Sequence, residues 1–403
     1  MLAACSSDDN VPATDKRADT GGQNDSGAIA FDARMGSGYA PSTRTPSPLS
    51  TLDALKEAGV GFGVFACYTG THKYYDVNVS PDFMYNDHVT FGSSNWEYTP
   101  VKYWPNGEGE VSGNTGQIKH YVSFFAYAPW SNNVGTDPDD NPAGYCITSF
   151  SNQGDQGDTW LTYRLIPQAN LDKQVDLLCA RPLLDQSKQA VNKRLPFVFD
   201  HALACVGDTV SIAISGAVDS STGMAKLLID RISSDPDVTQ MRVVVTGITI
   251  GYTLTEKARL LLWKGAADAD ANWQTIASGT PTTRRTVNLT DEQTVYQYDG
   301  STATVSTYQW INHGIYYIPT EIEGYPQTAQ VSVNYKIESY HTSSGNWLTD
   351  GRIDGTASIT LHNYPNAFKS GKHLNLGITI DGKSITLEGI EIVVNKEKYT
   401  DQW

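Results

Sequence analysis

GITIDGKSITLEGIEIVV, residues 377–394, contains the pattern GxxxxGK[ST], and its reading decides the fold class. A phosphate-binding loop of that pattern needs an open run of backbone N–H groups between a strand and a helix. Here Ile378 and Ile380 alternate with Gly377 and Thr379, as strand residues do. Asp381-Gly382 is a hairpin signal, and the alternation resumes beyond it through Ile385, Leu387, Ile390, Ile392 and Val394. The stretch reads as a β-hairpin, so the nucleotide-binding reading falls.

The same texture runs outward through the chain. GVGFGVFACYT (59–69), HYVSFFAYAP (120–129), MRVVVTGITIGYTL (241–254) and AQVSVNYKIESYH (329–341) are rich in Val, Ile, Phe, Tyr and Thr. Asp-Gly pairs at 299–300, 350–351, 354–355 and 381–382 are expected to supply hairpin turns. One helix is expected, near 50–58, where Ser50 or Thr51 caps, Asp53 suits the positive end and Gly59 stops the run. Strand and helix do not alternate regularly, which argues against a parallel α/β sheet. The expected fold is mostly β, two antiparallel β-sandwich domains in tandem. Residues 1–27 are expected to form an N-terminal segment and polar tether, 28–265 the N-terminal domain and 266–403 the C-terminal domain. The boundary is placed in the polar stretch 264–284.

Composition removes several function classes. A net charge of -15 argues against nucleic acid, which needs clustered Lys and Arg. No run of about 20 apolar residues is present to form a membrane-spanning helix. DPDDN (137–141) and DADAN (268–272) begin like calcium loops but lack the Gly and Glu that such a loop requires, so they read as acidic turns. No H-x-x-x-H spacing and no G-x-S-x-G elbow occurs, so neither a zinc site of that type nor a catalyst is indicated, and no metal or cofactor is expected. Cys67, Cys146, Cys179 and Cys205 are expected as buried free thiols, although four cysteines could also form two bridges in three connectivities. Trp104 and Tyr127 lie in or beside apolar strands, where aromatics serve a core more often than a sugar platform.

The chain opens on Leu2-Ala3-Ala4-Cys5, which resembles a bacterial lipobox and makes Cys5 the expected lipid carrier. Taken in order, LAAC, AIAFDAR (28–34), a loop with STRT, FGVFACYTG, WEYTPVKYWP, YVSFFAYAP, FVFDHALACV and GKHLNLGITID resemble the fimbrillins, or type V pilins, of Gram-negative gut and oral bacteria. The resemblance implies a pair of transthyretin-like sandwiches in a non-enzymatic fimbrial subunit or surface adhesin. It also implies export as an outer-membrane lipoprotein displayed at the cell surface, and removal of the first strand by an Arg-specific protease. In this chain that assigns Ile29, Phe31 and Ala33 to the removable strand and Arg44, then Arg34, to processing. Ile390, Ile392 and Val394, in a segment 390–395, would be the donor strand that fills a neighbour's vacated groove. The implied partners are other fimbrial subunits, the protease, and a host or bacterial surface ligand. A second reading, a glycan-binding surface lipoprotein serving nutrient capture, would require several exposed Trp and Tyr on one open face.

Overall fold

Alternation of apolar and polar residues in the chain becomes alternation of side-chain direction in sheets, and a computed structural model of the protein shows where each face goes. It describes residues 27–36, 51–105, 120–132, 137–154, 156–188, 194–217, 219, 221–264, 272–276, 282–306, 308–311, 314–320, 322–360, 369–381 and 385–393. In chain order the described strands are β1 (Phe31–Met35), β2 (Phe62–Gly70), β3 (Met84–Phe91), β4 (Trp96–Glu97), β5 (Tyr121–Ala128), β6 (Ile147–Phe150) and β7 (Trp160–Arg164). They continue with β8 (Leu178–Ala180), β9 (Leu183–Gln186), β10 (Leu195–His201), β11 (Ala204–Ile214), β12 (Val238–Thr255), β13 (Lys257–Leu261) and β14 (Trp273–Thr275). The remainder are β15 (Thr282–Leu289), β16 (Gln293–Tyr298), β17 (Ala303–Val305), β18 (Tyr308–Ile311), β19 (Ile315–Tyr317), β20 (Thr328–His341), β21 (Asn346–Thr360), β22 (His373–Ile380) and β23 (Ile385–Val393).

They form four sheets. The eight-stranded sheet runs β1-β10-β8-β5-β2-β3-β4 with β9 beside β5, and a four-stranded sheet runs β14-β13-β7-β6. A five-stranded sheet runs β18-β11-β22-β23 with β19 on β11, and a six-stranded sheet runs β17-β16-β12-β20-β21 with β15 on β12. The fold is mostly β with predominantly antiparallel pairing, as expected, and two pairings are parallel: β1 with β10, and β11 with β22. Sheet membership cuts across residue 265. β11 and β12 hydrogen-bond to strands that lie beyond it in sequence, while β14, also beyond it, pairs with β13.

The eight-stranded sheet is buried on both faces. Phe62, Val64, Ala66, Val122, Phe124 and Ala126 enter one core, closed by Leu55, Trp96, Tyr98 and Trp104. Phe65, Cys67, Phe125, Tyr127 and Cys179 point the other way, into a core shared with the four-stranded sheet and with both C-terminal sheets. That is why β2 and β5 read as nearly unbroken apolar runs, a pattern of strands covered on both sides.

Helix α1 (Leu52–Leu55) lies inside the expected span, with Thr51 Oγ1 accepting from the Ala54 N–H at 3.1 Å. Two further helices, α2 (Pro142–Cys146) and α3 (Gly223–Ser234), go beyond the single helix expected. Asn141, the last residue of DPDDN, caps α2, so that motif is a helix-entry turn. β22 and β23 pair antiparallel with Ile380 opposite Ile385, while 382–384, where the turn is expected, lie outside the described residues. The pairs at 350–351 and 354–355 do not make turns: both lie inside β21, where the register shift at Ile337/Glu338 leaves Asp350 as the extra residue of a bulge. The β20–β21 turn is instead at 342–345, where Gly345 takes φ 68°.

Candidate functional site

β1 closes one edge of the eight-stranded sheet. Among the described strands it pairs with β10 alone, from Phe31 opposite Leu195 to Met35 opposite Phe199. Its period of two places Ile29, Phe31 and Ala33 inward, at 2%, 0% and 7% exposure, and Asp32 and Arg34 outward. Phe31 sits among Phe197 at 5.4 Å, Tyr98 at 5.3 Å and Phe124 at 5.8 Å between ring centroids. Full burial of these three side chains is worth about 5 kcal/mol.

More than side chains holds the segment. Ahead of β1 the chain switches partners: Ala28 bridges Tyr103, Ile29 N–H donates to Lys102 O at 2.8 Å, and Gly27 O accepts from Trp104 N–H at 2.9 Å. Tyr98 donates its hydroxyl to Ile29 O at 2.9 Å, and Arg194 Nη1 donates to Phe31 O at 3.1 Å. Burial pushes the Tyr98 phenol up to about 12, opposed by its backbone hydrogen bond with Lys102, so it stays a neutral donor. The result is a slot about one strand wide, with β10 on one side, residues 102–104 on the other and an aromatic floor. Tyr98, Lys102, Trp104 and Arg194 have no period that marks them as groove residues. Only the aromatic density of WEYTPVKYW (96–104) hinted at them.

Of the residues singled out from sequence, Ile29, Phe31 and Ala33 are thus brought together in one slot. Arg34 is the fourth residue of β1, opposite Val198, with its side chain exposed. Cys5, Arg44 and Val394 lie outside the described residues. Ile390 and Ile392 lie on β23, opposite Leu376 and Leu374 of β22, and β23 stands last in its sheet. Cys67, Cys146, Cys179 and Cys205 are buried free thiols. Burial pushes the Cys67 and Cys146 thiols up to about 12. Among the described residues the exposed tyrosines, Tyr68, Tyr75, Tyr103 and Tyr325, stand on four separate segments. No group of three or more His, Cys, Asp or Glu among the described residues could hold a metal ion. No helix among them is long and apolar enough to cross a membrane.

No protein-family model matches the chain. It is 25% identical over 375 residues to the fimbrium subunit Fim1C of Phocaeicola vulgatus, covering 87% of this chain and 85% of that protein. Its fold matches the crystal structure of a fimbrial protein from Bacteroides vulgatus with a TM-score of 0.62 at 21% identity, over 91% of this chain and 99% of that one. The resemblance to the fimbrillins therefore holds over nearly the whole chain.

Proposed function

We propose that this fimbrillin-like chain is a non-enzymatic subunit or adhesin of a fimbrium at the cell surface, and that it assembles with other fimbrial subunits by strand exchange. The observation that carries the mechanism is the position of β1: an edge strand with one sheet neighbour, whose Phe31 is nonetheless fully buried. Removing such a strand leaves the rest of the sheet hydrogen-bonded, yet opens an aromatic slot beside the unpaired edge of β10. Both are costly in water, since bare edges and exposed apolar grooves recruit another extended chain.

The occupant would be the segment holding Ile390, Ile392 and Val394 of a neighbouring copy. Its spacing repeats that of Ile29, Phe31 and Ala33, with Ile390 matching Ile29, a smaller Ile392 where Phe31 stands and a larger Val394 where Ala33 stands. Among the described strands β23 is also an edge strand, so leaving β22 breaks one ladder. Cleavage at Arg44 would separate β1 from α1. Arg34 is the poorer site, because cleavage there needs a paired strand to open. Lipid on Cys5 would hold the precursor at the outer membrane until the clip.

The test is to treat purified full-length protein with an Arg-specific protease and follow clipping by mass and assembly by electron microscopy. One clip after Arg44, followed by polymers, is the expected result. Arg44→Ala with Arg34→Ala should block the clip, and deletion of 390–403 should block polymers but not the clip. Polymers from the deletion variant would overturn strand exchange. Fatty-acid labelling of wild type and equally of Cys5→Ala would overturn lipidation at Cys5.

A further inference from the structure

Away from the β1 slot, a cleft of about 200 Å³ opens between the 3-10 turn Tyr74–Asp76, the loop after it, Gly157–Asp158 and Trp263. Tyr75 dominates it. It is 67% exposed, the most exposed large hydrophobic side chain among the described residues, although its neighbour Tyr74 is buried. A single exposed ring is ordinary on a protein surface; what sets Tyr75 apart is that it borders a cleft and is held there by its neighbours.

The ring is held in place. It stands edge-to-face against Tyr74 at 5.5 Å and Trp263 at 6.3 Å. The turn beneath it is pinned from another part of the sheet, because Tyr74 N–H donates to Asp185 Oδ1 at 2.7 Å. Asp185 itself takes φ 54°, a conformation uncommon outside glycine, and its N–H is fixed by Ser123 Oγ at 2.9 Å. Across the cleft, Gly157 takes φ 130°, ties its N–H to Val79 O at 3.0 Å, and leaves open space where a Cβ would stand. The rim carries the exposed carboxylate of Asp158 and the amide of Asn78.

From this arrangement we infer a binding site for a single pyranose ring of a saccharide, a function separate from assembly and narrower than the multi-aromatic face of a nutrient-capture surface, which the described tyrosines do not form. A pyranose presents one face of C–H groups, which packs on an aromatic ring, and a rim of hydroxyls that both donate and accept. Tyr75 supplies the ring, Asp158 a pure acceptor and Asn78 both donor and acceptor. The volume lies below the ~300–1,000 Å³ of pockets that take drug-sized ligands, which fits one sugar unit and not a peptide. Aromatic walls beside an acid also suit an organic cation. Lys264, with Nζ 5.1 Å from the centre of the Trp263 ring, already holds the cation position there and disfavours a second positive charge.

The experiment is saturation-transfer NMR and titration of the full chain with the methyl glycosides of glucose, galactose, mannose, fucose, N-acetylglucosamine and N-acetylgalactosamine. Tetramethylammonium is the competing probe. At least one glycoside should bind saturably, Tyr75→Ala should weaken it about tenfold or more, and Tyr75→Phe should keep it. Asp158→Asn, an exposed change that leaves the core untouched, should also weaken it. Binding of no glycoside, equal binding by wild type and Tyr75→Ala, or saturable binding of tetramethylammonium in place of the sugars overturns the assignment. Polymerisation of clipped Tyr75→Ala should be as for wild type; its loss would make Tyr75 a subunit contact and also overturn it.

Discussion

β5 and β20 are both central strands of large sheets, yet they treat their side chains oppositely. Seven of the eight residues of β5 are buried, and neighbours such as Phe124 and Phe125 serve different cores. In β20, Ala329, Val331, Val333 and Tyr335 point inward, while Gln330 and Asn334 between them are exposed. The eight-stranded sheet is a partition between two apolar layers, whereas the six-stranded sheet has a dry side and a wet side. A partition tolerates no change of register and no polar intruder on either face. On the wetter face the half-buried Arg242 and Lys336 close over the buried carboxylate of Glu338 and pair with it.

The largest expected effect tests the partition directly. Phe124→Ala and Phe125→Ala should each cost about 3–5 kcal/mol in denaturant unfolding, despite being adjacent. In β20, Val331→Ala should cost clearly more than Gln330→Ala, which should stay within about 0.5 kcal/mol. If either Phe change proves nearly neutral, one face of the partition is not a core.

A second test uses alkali. Cys67 and Cys146 serve the shared core, and Tyr98 closes the other one; all three are held at about 12, chiefly by burial. Their folded values lie above the unfolded ones, so the stability they contribute is complete below about pH 9 and is lost as pH rises toward 12. Unfolding followed by thiolate and tyrosinate absorbance should therefore become easier across that window. Ionisation near the unfolded values in the intact protein would show that these groups meet water.

The smallest effect belongs to the wet face. Arg242 pairs with Glu338 at 2.6 Å and lies over the Trp347 ring at 4.2 Å. Arg242→Ala should cost about 1 kcal/mol or less, and part of that should vanish in high salt. A larger, salt-independent loss would mean that the Lys336 ammonium alone does not satisfy the buried Glu338 carboxylate.

Much of this contrast is legible in the residues alone. Alternation in AQVSVNY gives a one-sided strand, and the unbroken run VSFFAYA gives a two-sided one. The 377–394 hairpin and α1 follow from local turn and cap chemistry. What escapes is what depends on distant partners. Asp350-Gly351 has the signature of a turn, but fourteen residues of β20 pair along β21 and carry it through as a bulge. α3 shows an inward face of Met224, Ala225 and Leu228 only once β12 is there to receive it. The inward set of β1 is readable from AIAFDAR, whereas Arg194 and Tyr98 reach it from about 163 and 69 residues away. No local pattern encodes that distance.

The path of the chain between sheets has a mechanical consequence. It passes from the eight-stranded sheet to the C-terminal sheets between β10 and β11, returns to the four-stranded sheet between β12 and β13, and leaves again between β14 and β15. Tension applied at the two ends cannot peel one sandwich away and spare the other, because each crossing ties strands of both. Trp273 Nε1 bonded to Ala202 O and Arg285 Nη1 and Nη2 anchored between β15 and the stretch after β7 add rungs across the same seam. A pulled molecule should yield in one rupture instead of two, a single force peak in a stretching trace.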